Sequence, residues 1–264
     1  MAAKIKALFL DIDGTLLSFA TRTVPPSAAK ALEEAKKRGV RIYISTGRPT
    51  HFINNIAAIE PLIDGYMTTN GAYCTSNGET IVLCPIAESD TAAALRFIDE
   101  HHIPTIVMGE RGIGIINRTD FFDEVICGML QIDYRSVQRK LDYVAGGPVL
   151  QITSFVNESE EASLMAQMPH STAARWHHAF CDITAKEADK GKGLTAIARR
   201  LGIDITETMA MGDGGNDIAM LRAAGIGVAM GNATDAVKTA ADYVTASVDD
   251  DGLAQALRLH GVID

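Results

Sequence analysis

No stretch of the 264 residues is apolar for long enough to cross a membrane, so a helical membrane protein is excluded. The N-terminal run MAAKIKALFLD has two lysines and a short apolar stretch. It meets Asp11 and Asp13 almost at once, and no small-residue cleavage site follows. That reads as a core strand, not a secretion signal. Cysteine is scarce. Cys74, Cys84, Cys127 and Cys181 are scattered, without CxxC or metal spacing, so free thiols in a reducing cytoplasm are expected. Positive charge is also scarce: 24 Lys and Arg face 33 Asp and Glu, for a net charge of −9, and no Lys/Arg block exists. Nucleic-acid binding through a basic face is not expected. An anionic substrate needs local positive charge against that background. No strand leads into GxGxxG with a downstream acid, which argues against a dinucleotide site. Repeats and low-complexity segments are missing.

What is present is apolar mass, 47% of the chain, enough for one large core or two moderate ones. The first third alternates. IKALFLDID reads as a buried strand, PPSAAKALEEAKKRG as a helix with Gly39 at its end, VRIYIST as a strand, HFINNIAAIE as a helix and DGYMTTNGA as a strand and turn. The last third does the same: GKGLTAIARRLGI, GNDIAMLRAAG, ATDAVKTAA and DGLAQALRLHG read as helices between the strands TMAMGD, IGVAMG and DYVTAS. Short strand–helix–strand connections imply parallel pairing and right-handed crossovers. The middle differs. SDTAAALRFIDEHH, SVQRKLDYVA and EEASLMAQM look helical, while PTIVMGERGIGIIN, GPVLQITSFV and TAARWHHAFCDIT look extended. The expected fold class is α/β, a doubly wound, mostly parallel sheet. Residues 1–83 and 188–264 form it, and an α+β module at 84–187 is inserted.

Four polar clusters fall where predicted strands end, the edge at which open α/β sheets bind ligands. They are Asp11-Ile-Asp13-Gly-Thr15, Ser45-Thr46-Gly47-Arg48, Asp189-Lys190-Gly191-Lys192-Gly193 and Gly212-Asp213-Gly-Gly-Asn216-Asp217. Asp11, Asp13, Asp213 and Asp217 converging at one edge would repel one another. A bound divalent cation removes the difficulty, and oxygen ligands without a Cys or His cluster favour Mg²⁺. Thr46 offers a hydroxyl, the turn at Gly47 exposes N–H groups, Lys190 supplies charge at a helix start, and Asn216 adds a neutral donor. Together they suit a phosphoryl group. Singly, each is commonplace: Asp-x-Asp-Gly is often a turn, and a glycine after a strand is frequent.

In this order the clusters resemble the haloacid dehalogenase-like superfamily, its Cof-type sugar-phosphatase branch in particular. MGDGGNDIAMLRAAGIGVAMGNA, Met211 to Ala233, is similar to that branch's signature, and NGA at Asn70–Ala72 and DDGL at Asp250–Leu253 fit it. The resemblance implies a Rossmann-like core with an inserted cap, and an Mg²⁺-dependent phosphatase of small phosphorylated metabolites. Asp11 would be the nucleophile that forms an aspartyl-phosphate, and Asp13 an acid/base that starts protonated. Asp11, the Asp13 carbonyl and Asp213 would hold the metal, with Asp217 beside them. Thr46, Gly47, Lys190 and Asn216 would hold the phosphoryl group. Arg48, Asn70, Arg118, Trp176, His177 and His178 are candidates for reading the leaving group. As adjacent strand residues, the two histidines should face opposite ways. Met108, Met129 and Met165 are expected to fill core. A phosphomutase using the same intermediate and a non-catalytic phosphometabolite binder are the alternatives. A cytoplasmic monomer without nucleic-acid or membrane partners is the default.

Overall fold

The computed structural model describes residues 4–130 and 132–264, and the Trp176 side chain lies outside what is described. The chain divides into two compact units, Met1–Leu83 with Asp189–Asp264, and Cys84–Ala188.

In chain order the first unit opens with β1 (Ala7–Leu10), α1 (Pro26–Lys37), β2 (Arg41–Ser45), β3 (Gly65–Thr68), β4 (Tyr73–Ser76) and β5 (Glu79–Leu83). The second unit holds α2 (Glu88–Glu100), β6 (Thr105–Gly109), β7 (Gly112–Ile116) and α3 (Asp120–Asp123), which runs into a π-helical turn at Glu124–Met129. It continues with α4 (Leu141–Ala145), β8 (Val149–Ser154), α5 (Glu158–Met165), β9 (Ser171–His177) and β10 (Phe180–Ala185). The first unit resumes with α6 (Lys190–Leu201), β11 (Thr208–Gly212), α7 (Ile218–Ala223), β12 (Ile226–Ala229), α8 (Asp235–Ala240), β13 (Tyr243–Val244) and α9 (Gly252–Leu259).

The first unit is an eight-stranded sheet in the order β13-β12-β11-β1-β2-β3-β4-β5. Pairing is parallel from β13 to β3 and antiparallel through β4 and β5. Alternate residues of β1 feed opposite cores. Leu8 and Leu10 join α1 and α9 residues such as Leu32 and Leu257, while Ala7 and Phe9 join Leu194, Ile197 and Leu221 of α6 and α7. A central strand covered on both faces reads as an unbroken apolar run, which is why ALFL carries no polar residue. The second unit is an antiparallel sheet, β7-β6-β8-β10-β9, with Phe97, Ile98, Val107, Ile152, Leu164, Cys181 and Ile183 in its core.

Several local expectations are corrected. HFINNIAAIE forms only 3₁₀ turns, at Thr50–Phe52 and from Glu60. Asn55 takes a left-handed φ of 63°, which ends any helix there. Tyr73–Leu83 is a hairpin about Asn77-Gly78, a turn pair whose positive φ suits hairpins. The Asp120–Met129 helical segment was not anticipated, and only Leu141–Ala145 of SVQRKLDYVA is helical. Met108 is buried, but Met129 is 48% exposed. β9 stops at His177, so the strand rule does not govern His178, and the two rings lie 4.4 Å apart. Among the described residues no helix is long and apolar enough to cross a membrane.

Candidate active site

Three neighbouring parallel strands deliver the acidic site. β1, β2 and β11 end at Leu10, Ser45 and Gly212, and Asp11, Thr46 and Asp213 follow at once. Strand geometry therefore stops just before the aspartates. Asp11 still extends the ladder, its N–H donating to the Met211 carbonyl at 3.0 Å. Beyond it the chain turns, with the Leu16 and Leu17 N–H groups donating to the Ile12 carbonyl. Asp11 is 6% exposed, and Asp13 lies further out.

Lys190 begins α6 and is the buried cation of the site. Its ammonium donates to Asp11 Oδ1 (2.8 Å), Asp217 Oδ1 (2.6 Å) and the Ser45 carbonyl (3.0 Å), which occupies all three of its N–H groups. Burial opposes its charge, but Asp11 and Asp217 outweigh burial and hold it ionised well above the ordinary lysine range. The helix start sits deep because Gly191 and Gly193 have no side chains. A Cβ would lie 2.5 Å from the Ala219 carbonyl at 191 and 2.5 Å from Met67 Sδ at 193. Asp189 caps the helix by accepting the Lys192 N–H at 2.8 Å.

Asp217 is fully buried and shared. Oδ1 accepts from Lys190, while Oδ2 accepts the N–H groups of Asp213 (3.0 Å) and Gly214 (2.9 Å). Asp213 accepts from the Thr15 hydroxyl on Oδ1 (3.3 Å) and from the Asn232 amide on Oδ2 (3.2 Å). Burial and the Asp217 charge push the Asp213 carboxyl up to about 6. Asp11 is also driven well above the usual carboxylate range, by burial first and Asp217 second, with Lys190 offsetting part.

These residues fit a divalent cation. One oxygen each of Asp11, Asp213 and Asp217 lie within 4.8 Å of one another, the one such group among the described residues. Three carboxylates beside one ammonium leave two negative charges uncompensated, and that crowding adds to burial in raising the Asp11 and Asp213 carboxyls. An all-oxygen donor set suits a hard ion.

Around this centre, Thr46 is buried and its hydroxyl oxygen accepts the Arg48 N–H at 3.1 Å. Arg48 grips Asp13 with two bonds, Nε to Oδ2 at 2.8 Å and Nη2 to Oδ1 at 2.5 Å. Its Nη1 donates to Asn54 Oδ1 (2.7 Å) and the Phe52 carbonyl (3.3 Å). The expected helix HFINNIAAIE is thus an irregular cradle for Arg48. Asn216 donates to Asn70 Oδ1 at 2.9 Å, beside Gly47. Asn70 follows Thr69, and both take left-handed φ values, 54° and 48°. Such φ is costly for a β-branched threonine and is typical of functional loops. Gly14, with φ +80°, is required as glycine, since a Cβ there would lie 2.2 Å from Asp213 Oδ2.

The first unit therefore brings together every expected site residue: Asp11, Asp13, Thr46, Gly47, Arg48, Lys190, Asp213, Asn216 and Asp217. Asn70, expected only as a leaving-group reader, joins them. Of the other such candidates, Arg118 pairs with Asp123, and His177 stacks on Phe180. Sequence reasoning missed Asn232, Asn54 and the role of Thr15. Asn232 was findable, because it follows a strand end at the same sheet edge.

Comparison with known proteins identifies the family. A family model described as haloacid dehalogenase-like hydrolase matches residues 8–257. A solved structure, the HAD subclass IIB sugar phosphatase BT4131, is 42% identical, spans 98% of this chain and 100% of its own, and superimposes with a TM-score of 0.87. Pyridoxal phosphate phosphatase YbhA of Escherichia coli (strain K12) is 28% identical over 97% of this chain and 98% of its own. The 5-amino-6-(5-phospho-D-ribitylamino)uracil phosphatase YcsE of Bacillus subtilis (strain 168) is 27% identical, over 96% and 95%.

Proposed function

Since this chain belongs to the haloacid dehalogenase-like hydrolases and is a phosphatase, we propose that it hydrolyses small phosphorylated metabolites, sugar phosphates foremost, through an aspartyl-phosphate on Asp11. The observation that carries the reading is the contact of buried Asp11 with Lys190 beside Asp213 and Asp217. Asp11 is the nucleophile. It is fixed by its backbone bond to Met211, and one carboxylate oxygen is held by Lys190. A carboxylate nucleophile needs no adjacent base. Mg²⁺, when bound by Asp11, the Asp13 carbonyl and Asp213, supplies positive charge that offsets the phosphoryl oxygens and the carboxylates. Asp217 supports this set, since both its oxygens already serve Lys190 and the 213–214 backbone.

Asp13 protonates the leaving oxygen and then takes a proton from the hydrolytic water. Both of its oxygens are on Arg48, so one of those bonds opens when it engages the leaving group. Arg48 thereby links Asp13 to substrate entry. Thr46, Gly47, Asn216 and Lys190 receive the phosphoryl group, and Lys190 exchanges one protein acceptor for it. Residues 84–187 act as the cap that reads the leaving group. The similarity to a sugar phosphatase supports the substrate class, and a reducing cytoplasm suits the four free cysteines.

The test is phosphate release from a panel of sugar phosphates, nucleotides and pyridoxal phosphate, with and without Mg²⁺. Asp11→Asn is expected to lower kcat by roughly 10⁴-fold or more while the protein stays folded. Turnover that survives in that variant, or that ignores Mg²⁺ removal, contradicts the reading. Isomer interconversion without phosphate release would favour a mutase.

A further inference from the structure

We propose that Asn232 is a positioning residue for the metal ligand Asp213, an inference that rests on the metal reading given above. Asn232 lies in the turn after β12, at the sheet edge that carries the aspartates. Its Nδ2 donates to Asp213 Oδ2 at 3.2 Å and to the Gly14 carbonyl at 2.9 Å, and its Oδ1 accepts the Val248 N–H at 3.0 Å. One amide thus ties three loops together: those after β1, after β11 and after β13. Its orientation is unambiguous, because one amide atom faces an N–H and the other faces two oxygens.

The anchor is itself fixed. The Gly231 N–H donates to the Ala246 carbonyl at 2.9 Å, and the Ala233 N–H to the Met230 carbonyl at 3.0 Å. From the other side, Thr15 holds Asp213 Oδ1 at 3.3 Å. A carboxylate held through both oxygens cannot rotate freely, so the direction in which its remaining lone pairs point is set by protein. Gly14 permits the approach, since any side chain there would strike Asp213. Amide chemistry suits the task. A lysine at 232 would neutralise Asp213 and compete with the cation, whereas Asn232 donates a hydrogen bond and leaves the full negative charge for the ion. Groups that orient a ligand in this way typically change metal affinity 10- to 100-fold when removed.

Binding of Mn²⁺ to metal-free protein, read from the free-ion electron paramagnetic resonance signal, tests the proposal without turnover. Asn232→Ala removes the amide, and Asn232→Leu removes it while keeping bulk. Circular dichroism melting checks that both are folded, as expected at an exposed position. The expected result is Mn²⁺ binding by the wild type and a dissociation constant roughly 10- to 100-fold higher in both variants. Wild-type binding with both folded variants within twofold of it overturns the role of Asn232 and leaves the metal reading standing. Weakened binding in Asn232→Ala but not in Asn232→Leu also overturns it, because bulk and not the donor would then matter. A wild type that binds no Mn²⁺ overturns the metal reading itself.

Discussion

Lys190 is the residue on which the site's electrostatics turn. It is fully buried against two carboxylates and one carbonyl. Losing one member of a buried charge cluster costs more than the interaction is worth, because the partners are left uncompensated. Lys190→Met is therefore expected to destabilise the metal-free protein by about 3–5 kcal/mol in urea titration. Added Mg²⁺ should recover part of that loss, because it restores positive charge beside Asp11 and Asp217. A variant as stable as the wild type would show that the ammonium is not what stabilises these carboxylates. At this scale the motif-borne side chains were legible in the sequence, because each sits in a short polar cluster at a strand end or, for Lys190, at a helix start. Thr15 and Asn54 were harder to see, and Asn232 offered only its place after a strand end. They act through hydrogen bonds to other side chains and backbone, and single residue types in turns give no signal of their partners.

Among the elements, α6 is the one that buries a residue type usually left in solvent. Asp189 accepts the Lys192 N–H and fixes where the helix starts, hence where Lys190 points. Asp189→Ala is expected to cost about 1 kcal/mol of stability by chemical denaturation. On the proposed mechanism it should lower kcat more than it raises KM, because the displaced Lys190 touches the proposed nucleophile Asp11. An unchanged kcat would separate the cap from the site. The long periodic helices and the apolar strands of the first unit were readable because burial on both faces forces unbroken apolar sequence. HFINNIAAIE, His51–Glu60, has a helical pattern in sequence but forms no α-helix. Its apolar residues pack at near-helical spacing, but Asn55 turns left-handed and Arg48 takes the local acceptors. The β4–β5 hairpin was missed although Asn77-Gly78 marks it, because partly exposed strands such as ETIVL lack a buried run.

The whole molecule carries a net charge of −9 and concentrates part of its negative charge in one buried cluster. The pH dependence follows from the raised carboxyls. Asp213, pushed up to about 6 from 3.8, favours folding below its unfolded value, and that contribution is lost as pH rises through 6. Asp11 has the same sign. Asp204 and Asp264 are shifted down and act oppositely, so the discriminating quantity is the Mg²⁺-induced rise in melting temperature. That rise should be larger at pH 7.5 than at pH 5, because the ion binds ionised carboxylates and displaces protons. Equal rises at both values, measured by differential scanning fluorimetry, would argue against Asp213 as a ligand.

The depth of Lys190 has a consequence for how such a sequence can drift. Two positions without functional groups set how closely the helix start meets its neighbours, 191 against α7 and 193 against β3. A side chain at 191 has to displace the backbone of α7, so drift at a position with no chemistry of its own would disturb the lysine beside it.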